Sequence, residues 1–133
     1  MSRLATLIVS TIARNDFQDI TGKIQLAVDE MGIDNGFIVV FVPHTTAGIT
    51  INENADVDVR TDMMHKLDEM VPWTNGYRHF EGNSAAHIKA SMMGFSETII
   101  VEEGKLLLGT WQGIYFTEFD GPRKRKVHIK GIS

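Results

Sequence analysis

Apolar residues recur along the chain with two spacings, and each spacing predicts one kind of element. Residues 4–13 are rich in β-branched side chains and predict a first strand. A spacing of three and four then predicts two amphipathic helices. The first begins at Asp16 or Asp19 and ends at Gly32. The second begins within residues 53–60. The apolar stripes of the two helices are Ile20, Ile24, Ala27, Val28 and Met31, then Met63, Met64, Leu67, Met70 and Val71.

The middle of the chain predicts two consecutive strands of different character. Residues 37–42 form a continuous apolar run, which predicts a central strand covered on both faces and ended by Pro43. Residues 44–52 then alternate, with Ala47, Ile49 and Ile51 on one face and His44, Thr46, Gly48, Thr50 and Asn52 on the other. This polar face is either a solvent-facing sheet surface or the wall of a site. Because His44 and Asn52 would lie ~26 Å apart on a straight strand, one site can use both only through a bend at Gly48 or a second subunit.

The second half of the chain predicts one helix followed by strands. The helix covers residues 85–93 and stops at Gly94, and residues 98–101 then pair with residues 105–109 in a hairpin. Residues 110–119 form a strand partly buried on both faces. In the last strand four basic or histidine side chains (Lys124, Lys126, His128 and Lys130) form a solvated face with protective charges. Its other face carries Arg123 and Arg125, which either pair with Glu118 or contact an anion.

Composition narrows the class of protein. A chain of 133 residues with 43% hydrophobic and 23% charged residues predicts one compact α+β domain, residues 1–133, with mixed or antiparallel sheet layers and about three helices. A net charge of −4 and a pI near 5.7 argue against bulk binding to nucleic acid. The chain has no cysteine, no apolar run of the roughly 20 residues that span a bilayer, and a poor signal peptide. We therefore expect a cytoplasmic protein with no nucleic-acid or membrane partner.

The densest group of chemically useful side chains lies in residues 79–89. Asn83 or Ser84 is a good helix N-cap, which would place His87 in the first turn. Amides at a helix start attract anions, and Gly82 would let the backbone approach a ligand closely. His79 and His87 with Glu81 would then form a metal or proton-transfer pair beside an anion pocket. The alternative is an ordinary capped helix with structural histidines.

Asp56 and Asp58 form a second candidate, because an Asp-x-Asp pair can hold magnesium. Residues two apart on a helix point to different sides, and carboxylates are favoured in a first helical turn in any case. Helix capping therefore competes with the metal interpretation.

Three motifs resemble the YjbQ-like family of secondary thiamine-phosphate synthases. They are residues 43–56 (PHTTAGITINENAD), residues 81–90 (EGNSAAHIKA), and residues 108–114 (LGTWQGI) with 118–123 (EFDGPR), and the similarity covers nearly the whole chain. The resemblance implies a homotrimer with pockets near subunit contacts. It also implies a zinc ion or an anion among His44, His79 and His87, with Glu81 as a partner or proton carrier. The connection between His79 and His87 is shorter here than in many relatives and contains Phe80.

The activity implied by the resemblance is condensation of hydroxymethylpyrimidine pyrophosphate with thiazole phosphate, releasing pyrophosphate. The catalytic residues would be His79, Glu81 and His87, and the cofactor a divalent metal, zinc, or magnesium with a diphosphate substrate. The partners would be small phosphorylated metabolites. The substrate-binding set would be Thr46, Asn52, Gly82, Asn83, Ser84, Lys89, Gln112 and Arg123. Two alternatives stay open: a zinc-dependent hydrolase of another phosphorylated metabolite, and a non-catalytic trimeric module that binds a metal or a phosphorylated ligand.

Overall fold

The structure is a computed structural model that describes residues 2–133 as one α+β unit. Its elements, in chain order, are β1 (Ser2–Ser10), β2 (Asp16–Asp19), α1 (Thr21–Met31), β3 (Gly36–Phe41), β4 (Ala47–Glu53), α2 (Val57–Met70), α3 (Ser84–Met93), β5 (Ser96–Glu102), β6 (Lys105–Leu106), β7 (Gln112–Glu118) and β8 (Lys124–Ile132). The predicted fold class, three helices and hairpin of β5 and β6 are confirmed for the single chain.

The strands form two antiparallel sheets that pack face to face. The larger sheet has the order β1-β8-β3-β5-β6, and the smaller has the order β2-β7-β4. The space between them holds the main hydrophobic core, to which α1 contributes Ile24, Ala27 and Val28. The opposite face of the smaller sheet packs on α2 and α3 around a second core with Phe17, Leu67, Ala86, Ala90, Tyr115 and Phe119. Strand β7 therefore lies between two cores, which agrees with its predicted burial on both faces.

Local interactions fix the ends of the helices. The Asp19 carboxylate accepts hydrogen bonds from the backbone N–H of Thr21 at 2.9 Å and from its hydroxyl at 2.6 Å, immediately before α1. Gly32 ends α1 in the left-handed conformation, with φ of 70°. Asp56 caps α2 by accepting the Asp58 N–H at 2.9 Å. The Asp-x-Asp pair is therefore accounted for by helix capping.

Strand β8 carries the predicted solvated lysine face in the interior of its sheet. It pairs with β1 on one side and with β3 on the other, so it is an interior strand of the larger sheet. Its lysines are exposed because the outer face of this sheet, and not a sheet edge, is open in the single chain. An edge strand and an interior strand with one open face have the same sequence pattern. A period of two indicates which face is solvated, but it does not indicate how many strands lie beside it.

Strand β3 is central, as predicted, but only one of its faces is buried in the described chain. Ile38 and Val40 lie in the main core, whereas Phe37 and Phe41 are exposed on the outer face. The strand register places Phe37 beside Ile100 and Ile132 on that face. We call this outer surface of the larger sheet the open face; its exposed apolar residues are Leu4, Ile8, Phe37, Phe41 and Ile100. None of the helices within residues 2–133 combines the length and apolar character needed to cross a membrane.

Candidate functional site

A polar cavity of about 690 Å³ opens where β4 begins and β7 ends. Ala47 of β4 pairs with Glu118 of β7 at this position. Three chain segments line the cavity: the loop before β4, the loop and first turn that lead into α3, and the connection from β7 to β8. Each segment contains cavity residues from one of the three sequence motifs, and Trp73, His79 and Arg125 line the cavity from outside those motifs. The fold thus brings together stretches that are far apart in the chain.

A buried ion pair forms the floor of this cavity. Arg125 is only 4% exposed and lies on the cavity lining. Its Nε donates to Glu118 Oε1 at 2.7 Å, and its Nη2 donates to Glu118 Oε2 and, at 2.8 Å, to Thr46 Oγ1. Within residues 2–133 no hydrogen-bond partner is present for Nη1. One nitrogen of a rigidly held guanidinium therefore remains for a ligand in the cavity.

The environment of Glu118 keeps it ionised. Burial raises the pKa of this carboxyl, but hydrogen bonds from Arg125, from the Asp120 N–H and from the Thr11 hydroxyl outweigh burial. The net result is a pKa below the usual value of 4.5. Arg125 is thus held by a charged partner, and its position is set before any ligand arrives.

His44 lies on the cavity lining as a neutral imidazole. Burial lowers its pKa below 6.5, and the positive charge of Arg125 lowers it further, against an opposing effect of Glu118. The geometry agrees, because the backbone N–H of Lys126 donates to His44 Nε2 at 2.9 Å. A neutral imidazole that accepts at Nε2 carries its proton on Nδ1. His44 can therefore donate one hydrogen bond to a ligand.

His79 and His87 lie together on the cavity lining. Their ring centroids are 5.6 Å apart in an edge-to-face arrangement, and the Glu81 carboxylate lies 3.8 Å from His79 Nε2. All three side chains line the cavity. The sequence prediction that residues 79–87 bring two imidazoles and a carboxylate close together agrees with this arrangement.

The start of α3 is held by a polar bridge that differs from the predicted one. Asn83 occupies the N-cap position, but its side chain makes no capping hydrogen bond. Instead, its Nδ2 donates to Asp120 at 2.9 Å, and the same carboxylate accepts from Arg123 Nη2 at 3.1 Å. Asp120 therefore links α3 to the β7–β8 connection. Asn83 and Arg123 both line the cavity, and Arg123 is about half exposed.

Several predicted site residues lie elsewhere. Lys89 is 2% exposed and pairs with Asp68 of α2, so its ammonium does not reach the cavity. Asn52 and Gln112 line a separate cavity of about 230 Å³ at the far end of the β4–β7 pair. The straight course of β4 thus separates His44 from Asn52 within one chain.

Two further predicted residues, Gly82 and Ser84, lie beside the main cavity without lining it. Gly82 borders a smaller neighbouring cavity and has a φ of 79° in the turn that leads into α3. Ser84 is the first residue of α3. Thr46 belongs to the floor, where its hydroxyl is committed to Arg125.

The three-histidine zinc set implied by the resemblance does not fit this arrangement. Within residues 2–133 no three or more His, Asp or Glu side chains are grouped to hold a metal ion. The Nε2 lone pair of His44 is already engaged by Lys126, so it cannot coordinate zinc through that nitrogen. We therefore assign no chemical step to a metal.

Sequence reasoning missed Trp73 and Asp120, and it named Arg125 only together with Arg123, as a partner of Glu118 or of an anion; the pairing of Arg125 with Glu118 is confirmed. Trp73 lines the cavity and carries the Arg14 guanidinium 4.0 Å from its ring centroid. It lies in a loop without regular spacing, so no periodic signal marks it. Asp120 resembled an ordinary turn residue. Arg125 could have been preferred to Arg123, because it stands between Lys124 and Lys126 on the apolar side of its strand, and a buried arginine requires a partner.

The fold and this cavity define a small α+β protein with a polar cavity lined by histidine and arginine side chains. A sequence model of the family described as UPF0047 protein YjbQ-like matches residues 5–133, and the chain belongs to this family. It is 54% identical over 128 residues to UPF0047 protein YugU of Bacillus subtilis, covering 96% of this chain and 97% of that protein.

Solved structures show the same fold. A crystal structure of an uncharacterised conserved YjbQ/UPF0047 family protein from Clostridium acetobutylicum has a TM-score of 0.94 and 59% identity, covering 96% of this chain and 99% of that one. The crystal structure of a YbjQ-like protein of unknown function from Sulfolobus solfataricus also has a TM-score of 0.94, at 33% identity, covering 98% and 96% of the two chains.

Proposed function

We propose that the cavity is an active site for small phosphorylated metabolites. The observation that carries this proposal is Arg125, a buried guanidinium held by Glu118 with one nitrogen left over on the cavity lining. Arg123 adds a second, more exposed cation on the cavity lining. Guanidinium groups bind phosphate oxygens through paired, directional hydrogen bonds. The Nδ1–H of His44 supplies a further donor.

The reaction that this set of side chains supports best is group transfer of the thiamine-phosphate synthase type. The thiazole nitrogen attacks the methylene carbon of hydroxymethylpyrimidine pyrophosphate, a C–N bond forms, and the C–O bond to the diphosphate breaks. The product is thiamine phosphate, with a cationic thiazolium ring, and no proton is lost. Charge builds up on the leaving diphosphate, and Arg125 and Arg123 stabilise it electrostatically.

His79 and His87 complete this proposal as the proton-handling pair. Both line the cavity, and Glu81 lies close enough to orient His79. An imidazole N–H there donates a hydrogen bond to a diphosphate oxygen as it departs. A divalent metal, zinc or magnesium, belongs to this proposal only as a companion of the diphosphate substrate.

Incubation of the protein with both substrates tests the proposal. Chromatography should detect thiamine phosphate and pyrophosphate in equal amounts, and Arg123→Gln should raise the KM for the diphosphate substrate. Arg3→Gln, an exposed arginine of β1 outside the cavity, is the matched control. Orthophosphate release from a single substrate would favour the hydrolase instead. Thermal stabilisation by diphosphate without product would favour the binding module.

We further propose that the chain assembles as a homotrimer through the open face. Support comes from the cluster of large apolar side chains on that face, since patches of this kind mark interaction surfaces. Sedimentation should give three times the chain mass of 14.9 kDa. Ile100→Asp should shift the species toward the monomer, whereas Val57→Asp, at an exposed valine that begins α2 on the far side of the smaller sheet, should leave the mass unchanged. A monomeric wild-type protein would contradict this assembly.

A further inference from the structure

A second cavity of about 340 Å³ adjoins the candidate active site. Pro43, His44 and Thr45 line both cavities. The remaining wall of the second cavity consists of Phe41, Val42 and Phe95. The loop that contains these three residues thus borders both the arginine- and histidine-lined cavity and an apolar one.

The lining of this second cavity contrasts with that of the first. Three of its six lining residues are large apolar side chains, and it contains neither a carboxylate nor an arginine. Its backbone polar groups are used internally, because the Val42 N–H donates to the Phe95 carbonyl at 2.8 Å. An apolar hollow of this kind has little to offer a phosphate group, but it removes apolar ligand surface from water.

His44 is the fixed divider between the two cavities. Its Nε2 accepts the Lys126 N–H, which ties the ring to the backbone of β8. On the cationic side, Arg125 lies close enough to lower the pKa of His44. On the apolar side, Phe41 of β3 pairs in the strand register with His128 of β8, two residues beyond Lys126. The two cavities therefore share a wall formed by Pro43, His44 and Thr45.

We propose that the second cavity is a specificity subsite that holds the apolar ring of the same substrate whose phosphate is bound by Arg125. The inference rests on the proposed function and names its substrate class: phosphate or diphosphate monoesters of an aromatic or heteroaromatic group. The occupant follows from the shared wall, because Pro43, His44 and Thr45 line both the cavity that holds Arg125 and the hollow.

Calorimetric titration of the full chain with methyl phosphate and phenyl phosphate tests the subsite. The two esters carry the same anionic group and differ in the apolar part. The wild-type protein should bind phenyl phosphate about tenfold more tightly, the order expected for burying several ring carbons. Phe41→Ser should reduce this ratio to about twofold, because it removes one wall, while leaving the affinity for methyl phosphate unchanged.

Phe37→Ser is the matched control for this substitution. Phe37 lies on the same strand and the same open face with similar exposure, 38% against 45% for Phe41, but it does not line the cavity. It should keep the tenfold ratio whether or not it changes the oligomeric state. An equal loss of the ratio in both variants would overturn the subsite and assign the hollow to a contact between copies of the chain.

The remaining outcomes separate the subsite from the function on which it rests. Equal wild-type affinities for the two esters, or an unchanged ratio in Phe41→Ser, would overturn the subsite and leave the phosphate site standing. Failure of the wild-type protein to bind either ester would overturn the phosphate site and the subsite together.

Discussion

Arg125 and Glu118 form an ion pair that is almost fully removed from solvent, with side-chain exposures of 4% and 0% and an Nε–Oε1 distance of 2.7 Å. The pair joins β8 of the larger sheet to β7 of the smaller one. It therefore connects the two layers of the fold at the point where the candidate active site opens. Structure and proposed chemistry depend on the same two side chains.

Removing one partner of this pair should destabilise the protein strongly. Arg125→Met leaves the Glu118 carboxylate buried without its cation, and the expected loss in the free energy of unfolding is about 3–5 kcal/mol. The matched control is Arg123→Gln, whose half-exposed pair with Asp120 should contribute less than about 1 kcal/mol. Urea denaturation monitored by circular dichroism measures both. Equal, small losses would contradict the assigned role of the pair.

The same carboxylate predicts a dependence of stability on pH. The pKa of Glu118 is lower in the folded chain than its usual 4.5, so the unfolded chain binds a proton first as the pH falls. The stabilisation is therefore fully present above pH 4.5 and is lost as the pH falls through the folded-state pKa. Unfolding free energies measured from pH 3 to pH 6 should fall less steeply on acidification in Glu118→Gln than in the wild type. Parallel curves would refute this assignment.

Gly48 should be irreplaceable for packing reasons. A Cβ atom at this position would lie 2.6 Å from the Gly94 carbonyl oxygen and 3.2 Å from that of Ala90. Gly48→Ala would therefore push α3, which carries His87, away from β4, at an expected cost of about 1–3 kcal/mol. Gly22→Ala is the control, because nothing lies within 4 Å of that Cβ and α1 should tolerate it. Thermal unfolding of the two variants distinguishes a tight contact from a general intolerance of alanine.

Metal removal provides a test of how the anion is held. Arg125, Arg123 and His44 supply cationic charge and a donor without a metal, so diphosphate should still bind after chelation and dialysis, with an affinity within about threefold of the untreated protein. Metal analysis of the same samples shows what the chelator removed. Loss of diphosphate binding that is restored by zinc or magnesium would show that the anion is held through a metal.

The sequence predicted those features that depend on a local pattern or on side chains that lie close together along the chain. Gly94 as the end of α3, the β5–β6 hairpin and the His79–His87 pair all lie within short segments. Lys89 was misplaced because it lies close in the chain to the predicted anion pocket, and nothing local shows that it pairs with Asp68 of α2.

Long-range pairing set the limits of sequence reasoning. The alternating lysines of β8 look the same on an edge strand and on an interior strand whose outer face is open, and only the pairing with both β1 and β3 distinguishes the two. The apolar run of β3 predicted cover on both faces, which the single chain does not provide. That discrepancy is itself the reason to expect a partner on the open face.

The most direct test of the account is the turnover of His87→Ala. The ring of His87 lines the cavity and contacts His79, and it makes no ion pair or hydrogen bond within residues 2–133 on which the fold depends. Substitution should therefore leave the melting temperature nearly unchanged while lowering thiamine phosphate formation about 100-fold or more, the usual contribution of a positioned acid or base. Unchanged turnover in a folded variant would contradict the assignment of this cavity as the active site.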